Sequence, residues 1–273
     1  MSEDGPQRLT AQAVHRPWPL PRRPWVMRMT WHDLLFMHWP IDADIMRGAL
    51  ARAMGQPDLP GQMSLDLYEG RAWLGVVPFG MRRVRGRCLA PLPGLSSFPE
   101  LNVRTYVTCA GKPGVYFFSL DATSRLAVRA ARWSFGLAYY DADIRLRRDR
   151  HGWIDFEHQR THRDAPQARF RARYRGVSDA HRPAAGSLES FLTERYCLYT
   201  VDRGGGVWRG EIHHRPWTLQ AGEAEVQQLD MTGQIGVALP HEPPRLYLAP
   251  GQMHVLAWLP RRCPGTDAIR PGR

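Results

Sequence analysis

The chain has 273 residues, 43% hydrophobic and 10% aromatic, with a formal net charge of +11; that supports a large core without staples and excludes disorder except at the ends. Lys112 is the only lysine, so the charge is scattered arginine, which reads as compositional bias and argues against a nucleic-acid track needing charge clustered along a backbone. No run approaches eighteen apolar residues and no apolar segment follows the polar start Met1-Ser2-Glu3-Asp4, so neither a membrane span nor a leader is expected and the chain reads as cytoplasmic.

Residues 1–24, rich in Pro and Arg, read as a flexible N-terminal arm, 25–260 as a single domain, and 261–273 as a flexible C-terminal tail. Trp31 to Trp39 is an apolar, aromatic stretch that contains His32 and His38. A helix follows, with Asp42 as its N-cap, apolar spacing through Ile45, Met46, Ala49, Leu50 and Ala53, and Gly55 as its stop. Leu65 to Tyr68 and Arg71 to Phe79 then read as a hairpin around Glu69-Gly70.

Glu100 to Thr108 alternates sharply. Leu101, Val103, Thr105 and Val107 point one way, and Glu100, Asn102, Arg104 and Tyr106 the other. Lys112-Pro113-Gly114 turns the chain into Val115 to Leu120, and Asp121 reads as the cap of a helix ending at Gly136. Further strands are predicted at 142–147, 153–158, 169–175, 197–201, 207–213 and 254–259, with a short helix after Ser187. Many strands, short turns and about three helices predict an α+β fold, mostly antiparallel β, built as a barrel or sandwich.

A polar strand face with an apolar reverse fits either solvent or the lumen of a barrel. An enclosed Glu100–Arg104 pair is costly, and is better explained by binding or catalysis than by stability. His38, set among Phe36, Met37 and Trp39, reads as a core histidine or a pocket acid–base group. His158 and His162 read as surface residues, since i,i+4 spacing means little on a strand, and no metal site is expected. Cys88, Cys109, Cys197 and Cys263 are too widely spaced for a metal pair and read as reduced thiols. Gly204-Gly205-Gly206 reads as a hairpin turn rather than a phosphate loop, and the nucleophile-elbow and zinc-protease motifs are absent.

Several segments taken together resemble the YqjF-like family of bacterial proteins. They include Leu35-Phe36-Met37-His38-Trp39-Pro40, Trp73 to Phe79, Phe98 to Val107, Gly114 to Ala122, Phe191 to Tyr196 and His214-Arg215-Pro216-Trp217. That family is distantly similar to the acetoacetate decarboxylase superfamily, which implies a decarboxylase-like β-barrel with an internal cavity. By order along the chain, the resemblance aligns Glu100 with a strand glutamate and Arg132 to Gly136 with an Arg-x-x-x-Gly segment. It places Tyr139 and Tyr140 where the decarboxylases carry their catalytic lysines. It therefore implies no Schiff-base decarboxylation and no cofactor.

The expected site combines Glu100, Tyr139 and Tyr140 as catalytic groups with Asn102, Arg104, Tyr106, His38 and Arg132 as ligand-binding groups. Glu100, if desolvated, would have a raised pKa suited to proton transfer. Arg104 would hold a carboxylate or enolate oxygen. Tyr139 and Tyr140, as strand neighbours, face opposite sides, so one of them lines the cavity. The expected partner is a small carbonyl or carboxylate compound, bound or transformed; the alternative is a non-catalytic ligand-binding or protein-interaction module. A homo-oligomer is compatible with either.

Overall fold

The computed structural model describes residues 5–61, 63–91, 96–123, 136–202 and 204–264. Thirteen strands join into one sheet. In chain order they are β1 (Met27–Ile41), β2 (Met63–Leu65), β3 (Ala72–Gly86), β4 (Phe98–Cys109), β5 (Lys112–Ala122), β6 (Tyr139–Arg148) and β7 (Ile154–Arg160). There follow β8 (Arg169–Gly176), β9 (Cys197–Val201), β10 (Val207–His213), β11 (Gln220–Leu229), β12 (Arg245–Ala257) and β13 (Arg261–Arg262). The helices are α1 (Pro6–Ala11), α2 (Ala43–Met54) and α3 (Leu188–Thr193). The helix expected after Asp121, and Arg132 within it, lie outside the described residues.

Nine strands close a mixed barrel in the order β4-β5-β6-β7-β8-β11-β12-β1-β3, with β5–β6 its parallel pair. The β9–β10 hairpin bridges across this barrel, pairing in parallel with β5 and antiparallel with β12. It thereby closes a second circuit, β4-β5-β9-β10-β12-β1-β3. The shared strands carry different side chains into each circuit, because successive residues point to opposite faces. The main core fills the nine-strand circuit with Leu35, Met37, Val103, Phe156, Phe170 and Tyr174. Helix α2 plugs it with Met46, Ala49, Leu50 and Met54. Asp42 caps α2 by accepting from the amides of Asp44 and Ile45 at 2.9 and 3.1 Å, and Gly55 ends it at φ 65°.

Two bulges keep the second circuit lined with apolar side chains. On β1, Met29 and Trp31 face the cavity before residue 33, and Leu34 and Phe36 after it. Asp33 is the extra residue that changes the phase, held at φ 53° by His32 (2.8 Å) and Arg148. On the paired strand, Arg83 at φ 53° does the same between Met81 and Val84.

Several local expectations change. Of the strand expected at Leu65 to Tyr68, only Leu65 lies in a strand, β2, which pairs with β4; the hairpin shrinks to a Tyr68–Arg71 bridge. Asp121 is not a helix cap. Strand β5 runs through Ala122, and the Asp121 carboxylate is taken by Arg160 (2.7 Å twice) and His158 (2.9 Å). His158 is accordingly buried, not a surface residue, because it shares the inward face of β7 with Ile154 and Phe156. On β8, Arg171, Arg173 and Arg175 recur at every second residue and face carboxylates: Glu157 from Arg171, Asp155 and Asp149 from Arg173, and Glu223 from Arg175.

The N-terminal residues described here are docked. Leu9 of α1, 1% exposed, packs against Leu256 and Trp258, and His213 bonds its carbonyl at 2.8 Å. Arg16 reaches Glu211 at 3.1 Å. At the other end, β13 pairs with β10 and Cys263 is buried. Composition hides these contacts because one apolar side chain in a Pro/Arg-rich segment makes no periodic signal. Truncating Leu9 to Ala is expected to cost about 2–5 kcal/mol of docking free energy. The check is limited proteolysis, with cleavage between residues 12 and 24 appearing at least tenfold faster in the variant.

Candidate functional site

Strand β4 presents its polar row to a cavity of about 260 Å³. Leu101, Val103 and Val107 turn into the main core, while Glu100, Asn102 and Arg104 line the cavity. Cross-strand register fixes their surroundings. Phe79 lies opposite Glu100, Val77 and Leu120 opposite Asn102, and Phe117 opposite Arg104. Phe117 and Leu120 face the same space because β5 carries an extra residue, Phe118, at the Val103/Arg104 register shift. The wall is thus apolar with a few polar groups set into it.

At one end stands Glu100, 3% exposed. Tyr139, the first residue of β6, donates its hydroxyl to Glu100 Oε2 at 2.9 Å. Burial pushes the Glu100 carboxyl up to about 8; the Tyr139 bond opposes that rise and the Asp121 charge adds to it. Near neutral pH this is therefore an uncharged acid with a proton to give. Burial, followed by the Glu100 charge, holds the Tyr139 phenol well above its ordinary value.

At the other end, Arg104 donates from Nη2 to the Leu192 carbonyl of α3 at 2.9 Å and to Tyr106 Oη at 3.2 Å. Its guanidinium lies 5.2 Å from the Phe36 ring and its Nε has no hydrogen-bond partner. The Glu100–Arg104 ion pair considered from sequence does not form: three residues of extended chain lie between the two, and each is held by other groups. Between them, Asn102 Oδ1 is buried without a partner.

Tyr106 shares the face but lies behind the cavity wall, fully buried. Its hydroxyl donates to Leu192 O at 2.7 Å, so its oxygen accepts from Arg104 and from His38 Nε2 at 2.6 Å. His38 is then the Nε2–H tautomer, neutral, with a bare Nδ1. Burial, reinforced by the charges of Arg104 and Arg195, holds its pKa well below the ordinary range. His38 is a support for Tyr106 rather than a group at the cavity surface.

Gly75 makes this arrangement possible. A Cβ there would stand 2.6 Å from His38 Nε2 and 3.2 Å from Arg104 Cγ. Gly75→Ala is expected to displace the imidazole and cost about 1–3 kcal/mol, read as a lower midpoint in urea denaturation.

Tyr140 points away from the cavity. Its ring lies 5.5 Å from His162 and 4.2 Å below the Arg160 guanidinium. Lys112 sits at the β4–β5 turn, 3.8 Å from Glu211 and over the Trp18 ring, outside the cavity lining. Sequence reading missed Arg195, Glu211, His214 and the stacked Trp31–Trp217 pair, all of which line the cavity. The only local signal was the aromatic and basic run 213–217, whose two histidines point to opposite faces. Among the described residues no cluster of three or more His, Cys, Asp or Glu could hold a metal ion, and no helix is long and apolar enough to cross a membrane.

The model of the DUF2071 family, described as an uncharacterized conserved protein, matches residues 28–253. The chain belongs to the DUF2071 family. Within the span of that match lie every polar cavity residue named above and all of the sheet except β13 and the ends of β1 and β12. The chain is 43% identical over 234 residues to the uncharacterized protein YqjF of Bacillus subtilis (strain 168), covering 86% of this chain and 91% of that one. Among solved structures it is similar to the enduracididine biosynthesis enzyme MppR complexed with pyruvate. The TM-score is 0.58 at 12% identity, over 92% of this chain and 95% of that one. It is also similar to an acetoacetate decarboxylase-like enzyme from Sphingomonas wittichii RW1, with TM-score 0.54 at 13% identity over 88% and 93%. At such identities these likenesses show the fold: the chain has the acetoacetate decarboxylase-like barrel.

Proposed function

We propose that this DUF2071 protein binds a small carbonyl compound bearing a carboxylate, and moves a proton at its carbonyl through Glu100 without an amine intermediate. One observation carries the reading. The Glu100 carboxyl, kept protonated by burial and oriented by Tyr139, opens onto a mostly apolar cavity. A carboxyl with its pKa near the working pH both donates and accepts protons readily. Hydrogen-bonded to a ligand carbonyl, it passes its proton to the oxygen and, as the carboxylate so formed, takes one from the neighbouring carbon, so that the keto form becomes the enol and the carboxyl is restored. Tyr139 occupies a position the resemblance assigns to a lysine, and the only lysine lies outside the cavity lining. That favours direct acid–base work over imine chemistry.

The test is deuterium exchange. Small oxo acids and aldehydes are screened by thermal shift, and those that stabilise the protein are incubated with it in D₂O while NMR follows deuterium entering the carbon beside the carbonyl. Enzyme-dependent exchange is expected, reduced about 10²–10⁴-fold in Glu100→Gln. Binding without exchange would leave the cavity as a ligand-binding module, and exchange unaffected by Glu100→Gln would remove Glu100 from the chemistry.

A further inference from the structure

Four arginines are buried among the described residues: Arg16, Arg104, Arg160 and Arg195. Arg16 is paired with Glu211, Arg160 with Asp121 and Arg195 with Asp66. Arg104 alone has no carboxylate within ion-pairing distance, and it alone of the four leaves a buried nitrogen unpartnered. Its neighbours are a carbonyl, a phenol and two aromatic faces, all of which orient a cation without neutralising it. A buried charge is normally paired, and Arg104 lines the cavity. The missing anion belongs there.

The position of the second polar group limits what that anion is attached to. Extended chain advances about 3.3 Å per residue, so Glu100 and Arg104 are roughly 13 Å apart along β4. Side chains do not close the gap, since Arg104 turns toward Tyr106 and Leu192, away from Glu100, and Glu100 is held by Tyr139. Between the two ends the wall consists of Val77, Leu120 and Phe117 around Asn102. The volume of about 260 Å³ exceeds the roughly 150 Å³ in which an apolar cavity takes up benzene.

We infer that the ligand is an oxo acid whose carboxylate and carbonyl are separated by an apolar spacer of several carbons. The carboxylate pairs with Arg104 and the carbonyl accepts from Glu100. This deepens the proposed function and rests on it. Acids with the carbonyl on the carbon next to the carboxylate reach one end of the polar row and leave the other bare.

Isomers test the inference with the wild-type protein. Isothermal titration compares 7-oxooctanoate with 2-oxooctanoate, which has the same atoms and differs only in the position of the carbonyl. The 7-oxo isomer is expected to bind about tenfold more tightly, the worth of one further hydrogen bond to a well-placed group. Its methyl ester, which lacks the negative charge, is expected to bind about 10–100-fold more weakly than the acid. In Arg104→Met the acid–ester difference is expected to disappear. Equal affinity for the two isomers, or for acid and ester in the wild type, overturns the inference. Two further probes separate its failure from that of the underlying reading. If 2-octanone binds as tightly as 7-oxooctanoate and Glu100→Leu, which removes the donor, weakens it, the Arg104 anchor is wrong while the role of Glu100 stands. If octanoate binds as tightly as 7-oxooctanoate and Glu100→Leu changes neither, the carbonyl site at Glu100 falls, and the oxo acid with it.

Discussion

Glu100→Gln is expected to make the protein more stable at pH 8 while destroying its proton chemistry. The sign follows from where the proton sits. Below the ordinary carboxyl value of 4.5, Glu100 is protonated whether the chain is folded or not, and contributes no pH dependence. Between that value and about 8 the unfolded chain releases the proton and the folded chain keeps it. Folding then takes up a proton, so stability falls as pH rises across this window, by about 1.4 kcal/mol per pH unit and about 5 kcal/mol in all. Glutamine keeps the carbonyl that accepts from Tyr139 and does not titrate. Urea denaturation at pH 5 and pH 8 checks this: the variant and wild type should be close at the lower pH, and the variant several kcal/mol more stable at the higher. Parallel pH profiles would mean that Glu100 is ionised in the folded protein and that the uncharged-acid reading is wrong.

The second large effect is expected at Asp121. Its carboxylate, with both partners' side chains fully buried, accepts two bonds from Arg160 and one from His158. These bonds hold its pKa below the ordinary value against the opposing effect of burial. Asp121→Asn leaves the Arg160 guanidinium buried without its counter-charge, and a cost of about 3–5 kcal/mol is expected, measured by chemical denaturation at pH 7. The linkage runs opposite to that of Glu100. Stability from Asp121 is full above the unfolded carboxylate's pKa and is lost as pH falls through the lower folded one. The same substitution removes a negative charge that raises the Glu100 pKa, so the pH-dependent loss at Glu100 should move to lower pH. A variant within 1 kcal/mol of wild type would show the cluster to be replaceable.

The two carboxylates also mark what could be read from sequence. Glu100 was legible because strand alternation is local: every second residue of 100–107 is polar, and the reverse face is apolar. The α2 boundaries were legible for a similar reason, since Asp42 and Gly55 cap the helix from within its own segment. Asp121, His158 and Arg160 are ordinary residues in the sequence and meet only because β6 and β7 line up beside β5 in the barrel, a non-local fact. The phase changes at Asp33 and Arg83 were invisible too, since each places a non-glycine residue at positive φ, held in the case of Asp33 by His32 and by Arg148 far along the chain. Strand β11 escaped notice because none of its side chains is fully buried and its apolar residues are few and set among Gln and Glu. Arg104 was legible as a cavity residue, but its missing counter-charge required the partners of every other buried arginine.

Strand β4 separates two tasks at single-residue spacing. Leu101, Val103 and Val107 answer to the core, and Glu100, Asn102 and Arg104 face the cavity. Chemistry can therefore drift at every second position while the intervening residues keep the barrel folded. Relatives with different side chains at 100, 102 and 104 would be expected to share this architecture and act on different molecules. For the same reason, a library randomised at those three positions is a direct route to new specificities on this scaffold.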